Sequence, residues 1–201
     1  MKKDRIKDLI LDFLGVFFLI WGIAAILNQV YLRDAIFFLW LCYIGLILIG
    51  LGILFRSSYL IASQIAILTI PLLIWSADFI YFLIFRQPLS GITLYFFENK
   101  IKFSNIISLQ HLFTIPLSLL AIWMIKLNRK VFWKFGFLQI TIFFMMGRFF
   151  TPANKNINCV FRSCFNTKIA FLPYFIEWFI TFFLIIIITN FILMKIKVFR
   201  R

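Results

Sequence analysis

Six long apolar runs, separated by short basic stretches, constrain this chain more than any other feature. Each run has about 20 residues, the length that a helix needs to cross a bilayer. The chain is 64% hydrophobic, with a mean hydropathy of +1.03, whereas soluble domains are about half apolar. These observations predict an all-α fold, an integral membrane bundle of six transmembrane helices.

The predicted spans differ in length and in the loops that join them. They cover 9–30, 35–55, 59–85, 108–125, 131–147 and 172–194 of a single membrane domain, residues 1–201. The third is long enough to tilt or kink, and Pro71 supplies a reason because proline removes a helical hydrogen bond. Segments 86–107 and 148–171 form long loops. The first run is too long for the core of a signal peptide, so we expect a retained helix.

The distribution of Lys and Arg predicts the orientation of the bundle. With six spans both termini share a side, which carries 13 of the 21 Lys and Arg residues: Lys2, Lys3, Arg5, Lys7, Arg56, Lys126, Arg129, Lys130, Lys134, Lys195, Lys197, Arg200 and Arg201. Because cytoplasmic loops are enriched in Lys and Arg, we expect both termini to be cytoplasmic and both long loops extracytoplasmic. The net charge of +14 fits contact with anionic lipid headgroups. We therefore expect a multi-pass cell-membrane protein whose partner is the lipid bilayer, with no nucleic acid.

Four ionisable residues fall within or at the ends of the apolar runs: Asp78, His111, Arg148 and Glu177. In the predicted topology all four lie near the extracytoplasmic ends of their spans; Asp78 is about 10 Å below the end of the third span. Ionisable side chains in hydrocarbon are costly and are often functional. The sequence therefore predicts one polar site in the outer leaflet, formed by four helices.

Helical spacing indicates which faces of the spans carry polar side chains. Three stripes are Trp75, Asp78 and Tyr81; His111, Thr114 and Ser118; and Tyr174, Glu177, Trp178 and Thr181. Lipid offers these groups no partners, so the stripes are expected to face the bundle interior. A structural role accounts for them equally well, since Asp78 or Glu177 could pair with Arg148, and His111 could join two helices.

Acid–base chemistry is the functional interpretation of the same residues. His111 could act as a base, with Asp78 fixing its tautomer and Glu177 as a further candidate catalytic residue. Arg148 could bind a phosphate or carboxylate, and Trp178 is a candidate substrate contact. No HxxxH or HExxH motif is present, so we expect no metal and no cofactor. No nucleophile-elbow motif surrounds the Ser and Thr residues near His111.

Three cysteines are present, in two different settings. Cys42 lies within the second span and is expected to be a small buried hydrophobic residue. Cys159 and Cys164 fall in the second long loop, where an extracytoplasmic location permits a disulfide. A redox dithiol is a weaker interpretation, because C-x-x-C is the recognised spacing.

Four motifs follow one another between about residues 75 and 165: WSADFIYF, GITLYFF, SLQHLFTIPL and FTPANKNINCVF. They resemble a family of uncharacterised prokaryotic integral membrane proteins with W-x-x-D, G-x-T-x-Y, S-L-x-H and N-I-N motifs, and the resemblance implies no activity. It is carried by Trp75, Asp78, Gly91, Thr93, Tyr95, Ser108, Leu109, His111, Pro116, Asn156, Ile157 and Asn158. A looser resemblance is to a polytopic family that contains a mammalian acyltransferase-like membrane protein and its bacterial relatives. That family would place a nucleophilic Cys beside the histidine, and no Cys lies beside His111 in this sequence.

The long loops carry candidate ligand-binding residues. Asn156 and Asn158 lie in the second long loop, and Thr93 and Tyr95 in the first. Their amide and hydroxyl groups could hydrogen-bond a polar ligand or headgroup. An Asn-rich turn is an equally good explanation of the second loop.

Three functions fit these features. We favour an enzyme that acts on a lipid or lipid-linked substrate, because Asp, His and Arg together suit chemistry better than passive binding. The alternative is a small-solute binding or transport protein, since six spans and an outward-facing site resemble the vitamin-binding components of energy-coupling-factor importers. The first span, however, has only Ala24-Ala25 and no A-x-x-x-A docking pattern. The third is a non-catalytic membrane subunit.

Overall fold

A computed structural model of the chain describes residues 2–32, 35–97, 102–127, 132–164 and 172–199. These segments are all-helical. Their α-helices are α1 (Lys2–Tyr31), α2 (Leu41–Leu54), α3 (Ser58–Phe85), α4 (Leu94–Phe97), α5 (Phe103–Ser108), α6 (Gln110–Ile125), α7 (Trp133–Phe150) and α8 (Tyr174–Lys195). Short 3-10 helices cover Ala35–Leu39, Ile157–Cys159 and Lys197–Phe199.

The helices follow the apolar runs of the sequence, and two of the helical segments are interrupted. The run 35–55 is divided into a 3-10 helix and α2, and the run 108–125 is preceded by α5, with Leu109 between α5 and α6. Four helical segments are long and apolar enough to cross a membrane: Arg5–Tyr31, Ser58–Phe85, Phe103–Ile125 and Tyr174–Lys195. Helix α2 is apolar but shorter.

Helix α3 is the centre of the bundle and packs against α2, α6, α7 and α8. Its first half is almost entirely buried, because it presents apolar residues on every side. One polar contact is embedded there: Gln64 and Gln139 exchange two amide hydrogen bonds of 2.7 and 3.1 Å. Since each amide satisfies the other, the pair joins α3 to α7 without leaving a buried polar group unpaired.

Helices α1 and α2 form the most closely packed pair, and glycine permits the close approach. A side chain at Gly50 would place its Cβ 2.9 Å from the carbonyl oxygen of Gly15, a distance that real Cβ atoms do not show. The two backbones therefore meet directly, as in small-residue contacts between membrane helices. This contact fixes the second half of α2 against the first half of α1.

The outer surface of the bundle carries many large apolar side chains. They occur on all the long helices, and examples are Phe13 (69% exposed), Leu73 (52%), Ile84 (66%), Leu184 (51%) and Phe191 (60%). Exposed apolar surface on this scale is typical of a lipid-facing protein rather than a soluble one.

Candidate functional site

A cavity of about 850 Å³ lies between α2, α3, α6 and α8, at the end of the bundle where α3 ends and α8 begins. We call this end the long-loop end. Its volume falls in the upper part of the range of ligand pockets. The lining is polar near the loops and apolar further in. The polar lining residues are Gln29, Cys42, Tyr43, Tyr95, Ser104, Asn105, Ser108, His111, Asn158, Cys159, Ser163, Cys164, Tyr174, Glu177 and Thr181.

His111 reaches the cavity from the first turn of α6, and its tautomer follows from its contacts. Its Nδ1 lies 2.6 Å from the carbonyl oxygen of Ser108. A carbonyl oxygen can only accept, so Nδ1 carries the proton and Nε2 is the basic nitrogen. The imidazole also stacks on Trp75, with ring centroids 4.6 Å apart and planes 20° from parallel. Backbone and ring together therefore hold the imidazole in one orientation.

Gln110, next to His111, places its amide nitrogen beside the imidazole ring. The amide nitrogen is 3.3 Å from Nδ1 and 3.2 Å from Nε2. The in-plane directions of the two ring nitrogens diverge, so one amide cannot hydrogen-bond both along them, and it packs against the ring instead. Thr114 Oγ1 lies 2.7 Å from the Gln110 backbone carbonyl oxygen and 2.9 Å from Gln110 Oε1, so both are acceptors within reach of its one hydroxyl proton.

Cys42, near the start of α2, lines the same cavity, and Gln110 is among the groups close enough to influence its thiol. The Gln110 amide therefore lies beside the imidazole of His111 and close to the Cys42 thiol. Cys42 is the free cysteine of the chain, since Cys159 and Cys164 are joined by a disulfide. Cys42 is partly buried and packs against the hydrophobic core, as expected of a small hydrophobic residue, and it also lines the cavity.

Asp78 does not join His111. Its carboxylate is fully buried and accepts five hydrogen bonds from the loop that precedes α4. Oδ1 accepts from the Ser90 backbone N–H (2.5 Å) and hydroxyl (3.0 Å) and from the Gly91 N–H (3.1 Å). Oδ2 accepts from the N–H (2.9 Å) and hydroxyl (2.6 Å) of Thr93. Gly91 has a φ of +82°, a conformation that favours glycine and lets the chain turn around the carboxylate.

These contacts correct two expectations about Asp78 and Thr93. The carboxylate anchors a loop, and the carbonyl of Ser108 rather than Asp78 fixes the histidine tautomer. Thr93 is 1% exposed and is bound to Asp78, so it does not present its hydroxyl to a ligand. The physical reason is local: a buried carboxylate is stabilised by backbone N–H groups, which a nearby loop supplies at close range.

Arg148 lies outside the cavity. Its side chain is exposed, and its guanidinium lies 4.7 Å from the ring centroid of Phe161. Asp78 and Arg148, both described by the structure, do not form an ion pair, since the Asp78 oxygens face the Ser90–Thr93 turn. Arg148 stands at the last turn of α7 and points to the loop surface, so the expected anion clamp at the cavity is corrected.

The loop 156–164 covers the long-loop end of the cavity and is held by hydrogen bonds to Leu39, Leu41 and Trp178. The Asn158 side chain donates to the Leu39 carbonyl (2.7 Å) and accepts from the Leu41 N–H (3.0 Å). The Trp178 indole donates to the Asn158 carbonyl at 2.9 Å. Asn158 and Trp178 both line the cavity, but their polar atoms serve the loop.

Asn156 and the Cys159–Cys164 disulfide both stabilise the turn within this loop. Asn156 binds only its own loop: its side-chain oxygen accepts from the N–H groups of Phe161 and Arg162, and its amide donates to the Arg162 carbonyl. The Cys159–Cys164 disulfide closes the same turn, with a Cα–Cα distance of 5.7 Å, and both cysteines border the cavity. Asn156 therefore shapes the loop and does not reach the site.

Tyr95 and Glu177 complete the polar part of the cavity. The Trp75 indole donates to the Tyr95 hydroxyl at 3.1 Å, which links the ring under His111 to α4. Burial raises the pKa of the Tyr95 phenol, so this hydroxyl stays protonated at neutral pH. Glu177 is 8% exposed on the first turn of α8 and lines the cavity.

The cavity therefore brings together His111, Glu177, Trp178, Tyr95 and Asn158, while Asp78, Arg148, Thr93 and Asn156 lie outside it. Cys42 and Gln110 were missed as site residues. Cys42 lies seven residues from the start of the run 35–55, about 10 Å along a helix, which is the depth at which Asp78 was recognised as a candidate. The proximity of Gln110 to Cys42 depends on how α2 and α6 pack, which no local pattern predicts. Comparison of this chain with protein-family models, curated proteins and solved structures gave no match.

Proposed function

We propose that this chain is a multi-pass protein of the cell membrane with six spans, cytoplasmic termini and a cavity that faces the outer leaflet. Four helices with the length and apolarity of membrane spans support the class, and α2 and α7 supply the other two spans in this proposal. The excess of Lys and Arg in the short loops supports the orientation. Long loops and cavity then lie on the extracytoplasmic side.

We further propose that the protein is an enzyme that cleaves or transfers the acyl group of a lipid or lipid-linked substrate. One observation carries this proposal: Cys42 and His111 both line a largely apolar cavity, and Gln110 lies beside the imidazole and close to the thiol. A nucleophile, a base and a group that orients the base are the parts of covalent acyl chemistry. Here they are Cys42, His111 and the Ser108 carbonyl.

The proposed reaction needs no metal and balances in two steps. His111 Nε2 takes the thiol proton while the Cys42 sulfur attacks the substrate carbonyl, and the leaving alcohol then receives that proton. Water or an acceptor alcohol attacks the resulting thioester, again with His111 as the base, and the thiol is restored. Gln110 is fully buried and would act by holding the imidazole in place rather than by contacting the substrate.

The test is ester cleavage by the purified protein in phosphatidylcholine vesicles, with a fluorogenic long-chain ester as substrate. We expect His111→Ala and Cys42→Ala to lower kcat at least about 100-fold, since a general base alone contributes that much. Gln139→Ala, in the buried pair with Gln64, is the matched control outside the cavity and should keep kcat while losing stability. Full activity of both site variants would overturn the enzyme proposal.

The small-solute binding protein is the alternative that the same preparation can separate. It would predict saturable binding of a water-soluble solute, with no turnover of any ester and no effect of Cys42→Ala. We rank it second because the inner part of the cavity is lined by apolar side chains, which suit a lipid chain better than a polar solute.

A further inference from the structure

We propose that the cavity binds an amphiphile with one apolar chain and an uncharged polar head group, and that the chain enters sideways from the bilayer between α3 and α8. This proposal rests on the proposed function for the chemistry, and it adds the substrate class and the route of entry. Four independent features of the cavity carry it: charge, hydrogen-bonding groups, the inner wall, and the rim.

The charge of the lining disfavours an anionic head group. The cavity residues within the described segments include no Lys and no Arg, and their one carboxylate is Glu177. A phosphate or carboxylate head would therefore lie in a low-dielectric site whose described lining offers it no cation. The lining does offer neutral groups. The Gln29 amide donates to the Tyr43 hydroxyl at 3.3 Å, and both line the polar end.

Neutral amides and hydroxyls match the hydrogen-bonding needs of an ester, alcohol or amide. Asn105, which is 4% exposed, adds another side chain of this kind at the cavity wall, and its amide donates to the Phe96 carbonyl at 3.1 Å. The head group is therefore expected beside His111 and Cys42, where the acyl bond would have to lie.

The inner part of the cavity, which we call the arm, is lined by apolar side chains of two helices. Its wall consists of Ile67, Leu68, Pro71 and Leu72 of α3 and of Phe182 and Ile185 of α8. Ile185 is eleven residues beyond Tyr174, about 16 Å along the helix axis. This depth is close to half of the ~30 Å hydrocarbon core, so a chain lying in the arm would end near the bilayer midplane. One arm of this kind accommodates one chain.

The rim of the arm is continuous with the lipid-facing surface on both helices. On α3, Ile70 lines the cavity and is 36% exposed, and Leu73, three residues further, is 52% exposed on the outer surface. On α8, Thr181 lines the cavity, and Leu184 is 51% exposed three residues further. Residues at this spacing adjoin on a helix, so the cleft opens toward lipid rather than only toward the loops.

Photolabelling tests the proposal without requiring turnover. The probe is a monoacylglycerol with a diazirine near the end of its chain, in phosphatidylcholine vesicles that contain the Cys42→Ala variant. This variant removes the proposed nucleophile and leaves the arm intact. We expect the label on peptides that contain 67–72 and 182–185, with loss of the label when excess unlabelled monoacylglycerol is added.

Rim substitutions test the route of entry. In the same background, Ile70→Trp and Thr181→Trp should lower labelling about tenfold, because an indole at the rim fills the mouth of the cleft. Leu73→Trp and Leu184→Trp are matched controls on the outer surface and should label as before. If a tryptophan variant does not give a monodisperse protein, Ile70→Phe replaces it. Equal labelling of rim variants and controls would overturn sideways entry.

Competition tests the head group, and the results separate this proposal from the proposed function. Lysophosphatidic acid, with one chain and an anionic head, should compete at least tenfold more weakly than monoacylglycerol. Equal competition would overturn the uncharged head group. Ester cleavage without any label in the arm would overturn this inference and leave the enzyme proposal standing. Labelling of the arm without ester cleavage by the native protein would overturn the enzyme proposal and leave this inference standing.

Discussion

At the scale of single residues, the site depends on how polar groups in an apolar bundle find partners. His111 is held by a backbone carbonyl 2.6 Å away, and Asp78 is held by backbone and hydroxyl donors of one turn. The residue types and their depth in the spans were predictable, because charges are rare in apolar helices. The partner of each group was not predictable, because every residue has backbone donors and acceptors and the sequence does not show which of them lie close. For Asp78 they belong to the Ser90–Thr93 turn.

Asp78 gives the sharpest prediction at this scale. Asp78→Ala leaves five donors of the Ser90–Thr93 turn without their acceptor, so we expect a loss of roughly 3 kcal/mol or more in the free energy of unfolding in mixed detergent. Arg148→Ala should change this free energy by less than about 1 kcal/mol, because its guanidinium is exposed. The two effects should add in the double variant. Recovery of stability in Asp78→Ala/Arg148→Ala would show instead that the two residues form a pair.

At the scale of elements, the loop 156–164 and the start of α2 behave as one unit. Asn158 joins them by two hydrogen bonds, and three residues of this loop, Asn156, Asn158 and Cys159, have φ between 45° and 58°. Asn adopts this left-handed region more readily than most residues. The Asn residues of this loop predicted either a turn or a ligand-binding loop. In the structure Asn156 stabilises the turn, and Asn158 attaches the loop to α2.

Asn158→Ala tests this attachment. The change leaves the Leu41 N–H and the Leu39 carbonyl without their partner in a buried position, at a cost of about 1–3 kcal/mol for each unsatisfied group. We expect a lower thermal midpoint in detergent and faster protease cleavage of the loop. Asn154→Ala, at an exposed position of the neighbouring chain, is the control and should leave both measurements unchanged.

The thiols give a second prediction for the same loop. Cys159 and Cys164 should resist alkylation by a membrane-impermeant maleimide until a reductant is added, because they form a disulfide. Cys42 should react only with a small, lipid-soluble maleimide, and monoacylglycerol should protect it. Labelling of both loop cysteines in unreduced intact cells would contradict the first statement, and rapid modification of Cys42 by the impermeant reagent would contradict the second.

At the scale of the whole molecule, apolar run lengths were enough to predict an all-helical bundle and the approximate bounds of its long helices. The break at Leu109 was not predicted, because apolar residues continue through it, and it is this break that leaves the Ser108 carbonyl for His111. The cavity could not be predicted from the sequence either. Its walls come from segments as distant as Gln29 and Ile185, and only their packing produces the space.

Topology is the prediction that belongs to the whole molecule. Reporter fusions after Lys100 and after Lys155 should report an extracytoplasmic location, and a fusion after Arg129 a cytoplasmic one, because Lys and Arg are concentrated on the side of the termini. A paired reporter that is active only on the other side of the membrane is the control. The inverse pattern would place the cavity at the inner leaflet.

The central claim is that Cys42 and His111 act together on an acyl lipid, and mass spectrometry of the trapped intermediate tests it most directly. The protein in phosphatidylcholine vesicles is mixed with a monoacylglycerol, quenched in acid within seconds and digested. We predict an acyl adduct on the peptide that contains Cys42, sensitive to neutral hydroxylamine as a thioester is, and at least about tenfold less of it in His111→Ala. Ester turnover without an adduct on Cys42, or equal adduct in His111→Ala, would contradict the claim.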